Sequence, residues 1–191
     1  MTEVVYLKNN DLSKNNIELF ETIADDIRDK GFSINFNALP ADLGESLWLH
    51  VKNINLEKYS PAGVGRKNKY TLNTFIRSDE ICWINGDSEA GKAWLEWMKT
   101  LQIYLNSRLF LGLFSFESHF AHYAPGAFYK KHVDAFRGES NRVLSIVLYL
   151  NPGWLPDDGG ELILHLNNEE KVRITPMFGT LVAFLSEEFP H

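Results

Sequence analysis

The chain has a single cysteine, Cys82, among its 191 residues. No intrachain disulfide can form, and a thiolate-held metal cluster would need more sulfur. One cysteine in a chain of this length fits a reducing compartment, so a cytoplasmic location is expected. Long apolar runs are lacking too. None approaches the ~18 residues that span a bilayer, so no membrane partner is expected. The opening residues, MTEVVYLKNNDLSKNN, lack a basic segment followed by an apolar one, and no secretory signal is expected. Positive charge is scarce: 19 Lys and Arg stand against 25 Asp and Glu, for a net charge of −6. That balance leaves no broad basic footprint, and no nucleic-acid partner is expected. Internal repeats, low-complexity tracts and a clear domain boundary are absent as well.

What remains is a chain with 45% hydrophobic residues. A chain of this size buries roughly 70% of the surface it exposes when unfolded, so it can fold as one domain over residues 1–191 without staples. The first half has helical spacing. Ile17, Phe20, Ala24 and Ile27 recur at steps of three and four, which predicts a helix from Ser13 to about Lys30, capped by Ser13 or Asp11 and ended by Gly31. Leu43, Leu47, Val51 and Ile54 predict a second helix from Ala41 to about Lys58. Ala93, Trp94, Trp97, Met98, Leu101 and Leu105 predict a third from about Ser88 to Arg108. Between the last two lies a loop-like stretch, SPAGVGRKNKYTLN, made locally basic by Arg66, Lys67 and Lys69. The run TFIRSDEICWI after it has the composition of a strand or hairpin.

After Leu113 the pattern changes. FESHFAHYA, AFYKKHVDAF, VLSIVLYLN, ELILHL, KVRI and TLVAFL are short, β-rich and separated by turn residues, as in a sandwich or barrel. Helices first and strands afterwards predict an α+β fold. His132 and Asp134 fall on a predicted strand, where residues i and i+2 share a face. An imidazole nitrogen and a carboxylate oxygen can therefore meet one ion there. A third ligand must come from elsewhere, and His191, after the strand TLVAFL, is a candidate. Two His and one carboxylate on one face of an octahedron form the open donor set of non-haem Fe(II) oxygenases. His50, His119, His122 and His165 have no comparable partner and are expected to be surface or core residues.

The segments IRSDEICWI, HYAPGAFYKKHVD, NRVLSIVLYLNPGW, GGELILHL and ITPMFGTLVAFLSEEFPH occur in this order from about Tyr70 to His191. Together they resemble the 2-oxoglutarate/Fe(II) oxygenases, specifically the oxygen-sensing, hypoxia-inducible-factor type of prolyl hydroxylase. The resemblance implies a double-stranded β-helix, a jelly-roll or cupin-like barrel, with helical support over about 1–110 and a barrel core over about 70–191. It implies that His132, Asp134 and His191 hold Fe(II), with no catalytic residue beyond these ligands. Tyr123, Tyr149 and Leu162 match residues that bind 2-oxoglutarate. Arg77 and Asp79 match a pair near the substrate entrance, with Arg142 as a candidate partner of Asp79; a structural salt bridge is the other reading of that pair. The loop Gly63–Lys69 takes the place of one that closes over the substrate.

The implied activity is hydroxylation of a prolyl residue in a protein or peptide, consuming O₂ and 2-oxoglutarate and releasing succinate and CO₂. Ascorbate is a candidate reductant. The alternatives are a hydroxylase of a free amino acid or other small molecule, a non-catalytic barrel that binds a partner, and a zinc hydrolase. The family pattern also places an arginine about nine positions past the second histidine ligand, as a bidentate carboxylate partner. In this sequence the last barrel strand is missing. A ligand at a chain end would sit on a fraying terminus, so the expectation is of a natural protein that continues beyond His191; a different mode of cosubstrate binding is the other reading.

Overall fold

The computed structural model describes residues 14–63, 73–135, 142–166 and 169–191. Helix α1 (Lys14–Lys30) leads into strand β1 (Phe32–Asn35), then helix α2 (Ala41–Lys52) and the two-residue strand β2 (Ser60–Pro61). Strand β3 (Glu80–Trp83), helix α3 (Glu89–Leu109) and strand β4 (His119–His122) follow, and then β5 (Leu144–Leu148), β6 (Leu162–His165), β7 (Lys171–Ile174) and β8 (Leu181–Leu185). The strands form three antiparallel groups, ordered β1-β8-β5, β2-β3-β4 and β6-β7. The fold is thus α+β, with helices preceding most of the strands. Among the described residues no helix is long and apolar enough to cross a membrane.

The β1-β8-β5 sheet separates two apolar clusters because its strands alternate faces. Leu181 and Ala183 of β8 look toward α1, α2 and α3, where they meet Phe20, Ile23, Leu47, Leu101 and Leu105. Val182 and Phe184 look the other way, onto Leu164, Ile174 and Phe189. The second side carries the candidate site. Most of the expected helical stripes are buried, but Ile17 is 36% exposed, and Ile23 is buried on that helix instead. Ala93 is likewise exposed, while Ala90 is buried.

The helix boundaries follow from local hydrogen bonding. Ser88 caps α3 by accepting from the Gly91 N–H at 3.0 Å. Gly31 ends α1 with φ of +80°, its N–H bonded to the Ile27 carbonyl at 3.0 Å. Only glycine suits that position, since a Cβ there would stand 2.8 Å from the Phe189 ring. The expected caps Ser13 and Asp11 lie outside the described residues. Helix α2 stops six residues before the expected Lys58. Asn53 donates its side-chain amide to the Leu49 carbonyl, and Asn55 accepts from the Glu57 N–H, starting a short 3₁₀ turn over Leu56–Lys58. Such side-chain bonds offer the backbone an alternative to the helix.

A candidate metal centre

The segment carrying His132 and Asp134 is not a strand, contrary to expectation. Its pairing changes partner along its length, so no continuous ladder forms. At one end Tyr129 bridges Arg77, Ser78 N–H bonds the Phe128 carbonyl, and Lys130 N–H bonds the Ile76 carbonyl. At the other end His132 pairs with His191, each donating its N–H to the other's carbonyl at 2.9 Å. The His165 N–H holds Pro190 by its carbonyl at 2.8 Å. His191 is therefore tied by its backbone and by its neighbour to both the HxD segment and β6.

These bonds bring three donors together. One ligand atom from each of His132, Asp134 and His191 lies within 4.8 Å of the others. His132 Nε2 is 3.6 Å from Asp134 Oδ1, and His191 Nε2 is 4.0 Å from Oδ2. The far ring nitrogens are occupied: His132 Nδ1 meets the Lys130 carbonyl at 2.9 Å, and His191 Nδ1 meets the Phe189 carbonyl at 3.0 Å. A carbonyl only accepts, so in the neutral ring each Nδ1 carries the hydrogen and each Nε2 presents a lone pair toward Asp134. Outer bonds of this kind orient histidine ligands in metal sites. The donor set fits a ferrous ion: two imidazole nitrogens and one carboxylate, with no thiolate and no closed tetrahedron.

Asp134 is held on both oxygens. Arg142 Nη1 stands 3.0 Å from Oδ1, and Ser145 Oγ donates to Oδ2 at 2.6 Å. Burial pushes this carboxyl upward, but the His132 imidazole (in the form whose Nε2 bears a proton), the Ser145 hydroxyl and the charge of Arg142 outweigh it and hold the group below the ordinary carboxylate range. Burial pushes the His191 imidazole down, and the neighbouring His132 and Arg142 add to this. Both groups favour the form that a cation binds.

A pH dependence follows for the protein stripped of metal. Folded His191 takes up its proton less readily than the unfolded chain does. Below the ordinary imidazole value of about 6.5 the unfolded state therefore holds more protons, and falling pH favours unfolding. Asp134 acts lower: its stabilisation is complete above about pH 4 and is lost as pH falls through its depressed folded value. The urea midpoint of chelator-treated protein is expected to fall between pH 7 and pH 5, and to fall less in His191→Asn. Equal slopes in the two proteins would contradict the depressed imidazole.

Of the other expected site residues, Arg142 contacts Asp134 directly and Tyr123 lies near enough to feel its charge. Tyr149 is partly buried just after β5, its N–H on the Thr180 carbonyl at 3.0 Å. Burial raises its phenol, and the nearby Tyr123 adds to the effect. Tyr123, after β4, is 47% exposed and is also raised, by burial first and then by the charge of Asp79. Both phenols therefore keep their protons and can donate. Leu162, at the start of β6, packs on the same cluster as Tyr149 and Val147. Arg77 and Asp79 form a two-pronged ion pair, with Nε–Oδ1 at 2.7 Å and Nη2–Oδ2 at 2.5 Å. Arg142 was expected beside Asp79. It reaches Asp134 and Glu117 instead, because Arg77 already fills both Asp79 oxygens. Arg66, Lys67 and Lys69 of the loop Gly63–Lys69 lie outside the described residues.

Three contacts went unread in the sequence. Tyr129 stacks on His132 with ring centroids 3.5 Å apart, and the Arg77 guanidinium covers Tyr129 at 4.2 Å. Ser145 bonds Asp134 from an inward row of β5 that otherwise carries Val147 and Tyr149. A lone hydroxyl in such a row was the available signal, since a buried hydroxyl needs a partner.

An antiparallel α+β scaffold holding two imidazole Nε2 atoms against one carboxylate defines a candidate mononuclear metal centre with open positions. Residues 118–191 match the family model described as the 2OG-Fe(II) oxygenase superfamily. The structure is similar to a Pseudomonas putida prolyl-4-hydroxylase, at 41% identity and a TM-score of 0.81, covering 91% of this chain and 89% of that one. It is also similar to a Trichoplax adhaerens prolyl hydroxylase solved with a hypoxia-inducible factor oxygen degradation domain peptide fragment. That match has 28% identity and a TM-score of 0.77, and covers 97% of this chain and 86% of that one. A viral collagen prolyl hydroxylase from Paramecium bursaria Chlorella virus-1, solved with 2OG, shares the fold at 18% identity and a TM-score of 0.55, over 85% of this chain and 84% of that one. The chain belongs to the 2OG-Fe(II) oxygenase superfamily.

Proposed function

We propose that this oxygenase hydroxylates a prolyl residue of a protein, with Fe(II) held by His132, Asp134 and His191. The observation that carries the assignment of ligands is the convergence of two Nε2 lone pairs on one doubly held carboxylate. The choice of proline rests on the likeness to two prolyl hydroxylases. With iron and cosubstrate bound, decarboxylation of 2-oxoglutarate to succinate and CO₂ is coupled to insertion of one oxygen atom into a C–H bond. Ascorbate as external reductant and a cytoplasmic setting belong to the same reading. So does the arrangement of the three strand groups as a double-stranded β-helix supported by the helices, with the whole sequence acting as one domain.

The protein's own residues divide the remaining work. The Nδ1 bonds to the Lys130 and Phe189 carbonyls keep both rings oriented. Tyr149 and Tyr123, which keep their protons, would donate to the anionic cosubstrate, and Leu162 would pack on its aliphatic chain. Arg77, held in place by the buried Asp79, and Arg142 would line the side where a substrate enters.

Incubation with Fe(II), 2-oxoglutarate and O₂ in the presence of proline-containing peptides tests the reading. The expected result is a gain of one oxygen atom on a peptide, with equimolar succinate. Without O₂, adding Fe(II) and 2-oxoglutarate together is expected to give a weak visible charge-transfer band. Turnover that persists with zinc and without the oxoacid would overturn it. Tyr149→Phe removes one hydrogen bond to a charged ligand, a change of about 1.5–3 kcal/mol. The KM for 2-oxoglutarate is then expected to rise about 10–100-fold with little change in kcat, as read from succinate formation against oxoacid concentration.

A further inference from the structure

Ser145 and Ser186 stand behind the metal centre in a place where the fold would ordinarily put apolar side chains. Ser145 is 8% exposed and Ser186 is 0% exposed. Ser145 pairs across the sheet with Phe184, and its face of β5 packs on Leu164, Val182 and Phe184. Hydroxyls in such surroundings cost stability unless each is bonded. Here both are. Ser145 Oγ lies 2.6 Å from Asp134 Oδ2 and 2.8 Å from Ser186 Oγ.

The chemistry of the partners fixes the direction of this chain. An ionised carboxylate only accepts, so Ser145 spends its single hydrogen on Asp134. The hydrogen between the two hydroxyls must then come from Ser186. The result is a polarised relay, Ser186 to Ser145 to Asp134, whose last member is a short charge-assisted bond. Its anchor is firm, because Ser186 follows β8 and its N–H bonds the Val143 carbonyl at 3.0 Å.

The relay opposes a competitor. Arg142 holds Oδ1 at 3.0 Å, and a guanidinium fork readily takes both oxygens of a carboxylate. By occupying Oδ2, Ser145 prevents that fork from closing. It also removes a lone pair from the oxygen that a cation would need for two-oxygen chelation.

We infer that Ser145, backed by Ser186, is a positioning residue that sets the rotation of the Asp134 carboxylate, so that Asp134 offers a metal one oxygen and leaves the remaining positions open. The inference rests on the reading of His132, Asp134 and His191 as metal ligands.

The test is Mn(II) affinity, measured by titration of the full chain and followed by paramagnetic resonance of the free ion, together with the melting temperature of each metal-free variant. Ser145→Ala is expected to weaken Mn(II) binding about 10–100-fold, as loss of an outer bond to a ligand does. Ser186→Ala weakens it less, and Ser145→Thr, which keeps the hydroxyl on a β-branched side chain suited to a strand, returns it to within a few-fold of wild type. Equal weakening in Ser145→Ala and Ser145→Thr would reduce Ser145 to packing and overturn the inference, as would unchanged affinity in Ser145→Ala. If Ser145→Ala fails to fold, the contrast between Ser186→Ala and wild type decides, and unchanged affinity there overturns it. Asp134→Ala separates the underlying reading: undiminished Mn(II) binding in that variant would reject the ligand set itself.

Discussion

Replacing Asp134 with alanine is expected to abolish succinate formation coupled to substrate while leaving the fold intact. The loss should exceed the 10–100-fold typical of an outer-shell partner, because a direct donor is removed. Two imidazoles would remain, and two neutral nitrogens without an anion hold a ferrous ion poorly. The fold is expected to survive because the groups around Asp134 keep other partners. Arg142 is paired with Glu117 at 3.2 Å, and Ser145 retains Ser186 at 2.8 Å. No buried donor is orphaned, so the usual penalty of about 1–3 kcal/mol for an unsatisfied group does not apply. Cooperative urea unfolding with a midpoint lowered only modestly, by loss of the Arg142 and Ser145 contacts to Asp134, alongside absent turnover, would separate loss of the ion from loss of structure. Asp134→Glu is the sharper companion. It keeps the charge but displaces the carboxylate from Ser145 and Arg142, and a misplacement of about 1 Å can cost about 100-fold in rate. Unchanged turnover in Asp134→Ala would sink the iron assignment.

The elements that could be read from the sequence are those whose information is local. Helix α3 shows its stripe and its Ser88 cap within one segment, and β5, β6, β7 and β8 show short apolar runs between turns. Helix α2 was overread because apolar spacing continues through Ile54, while Asn53 and Asn55 end the helix by side-chain bonds that periodicity does not record. Strand β1 was invisible: four residues, FSIN, become a strand only because β8 supplies the partner. The HxD spacing was legible, but the reason for its convergence was not. His132 and Asp134 meet because two different partners, Ile76–Ser78 and His191, hold the segment between them. Likewise the charges of Arg77, Asp79 and Arg142 could be marked as a group, yet who pairs with whom depends on a fork that only the folded chain positions. The resemblance to a family ordered the site residues along the chain. It did not reveal Tyr129 or Ser145, which act through contacts rather than through spacing.

The second large effect is expected at Arg77, and it decides between two meanings of the same ion pair. Asp79 has a fully buried side chain, and Arg77 is only 14% exposed. Burial lowers the Arg77 value, but the Asp79 carboxylate outweighs this and the guanidinium stays charged. Arg77→Ala would leave the Asp79 carboxylate buried without its fork, a change that costs about 3–5 kcal/mol. That is a large part of the 5–15 kcal/mol by which a domain is ordinarily stable. For a chain of this size it corresponds to a fall in Tm of about 6–20 °C in calorimetry. Arg77→Lys is expected to recover little, because an ammonium cannot make the two parallel bonds or cover Tyr129 as a plane. The double replacement Arg77→Met with Asp79→Leu should recover much of the stability, since removing both charges of a buried pair is often neutral. The same double variant then isolates function. It removes the cation from the outer face of Tyr129, whose inner face lies on His132. If the pair serves only the fold, the double variant regains wild-type turnover. If it also shapes the substrate entrance, stability returns while KM for the peptide stays high. A single Arg77→Ala variant with unchanged Tm would reject the structural reading outright and leave the substrate role alone.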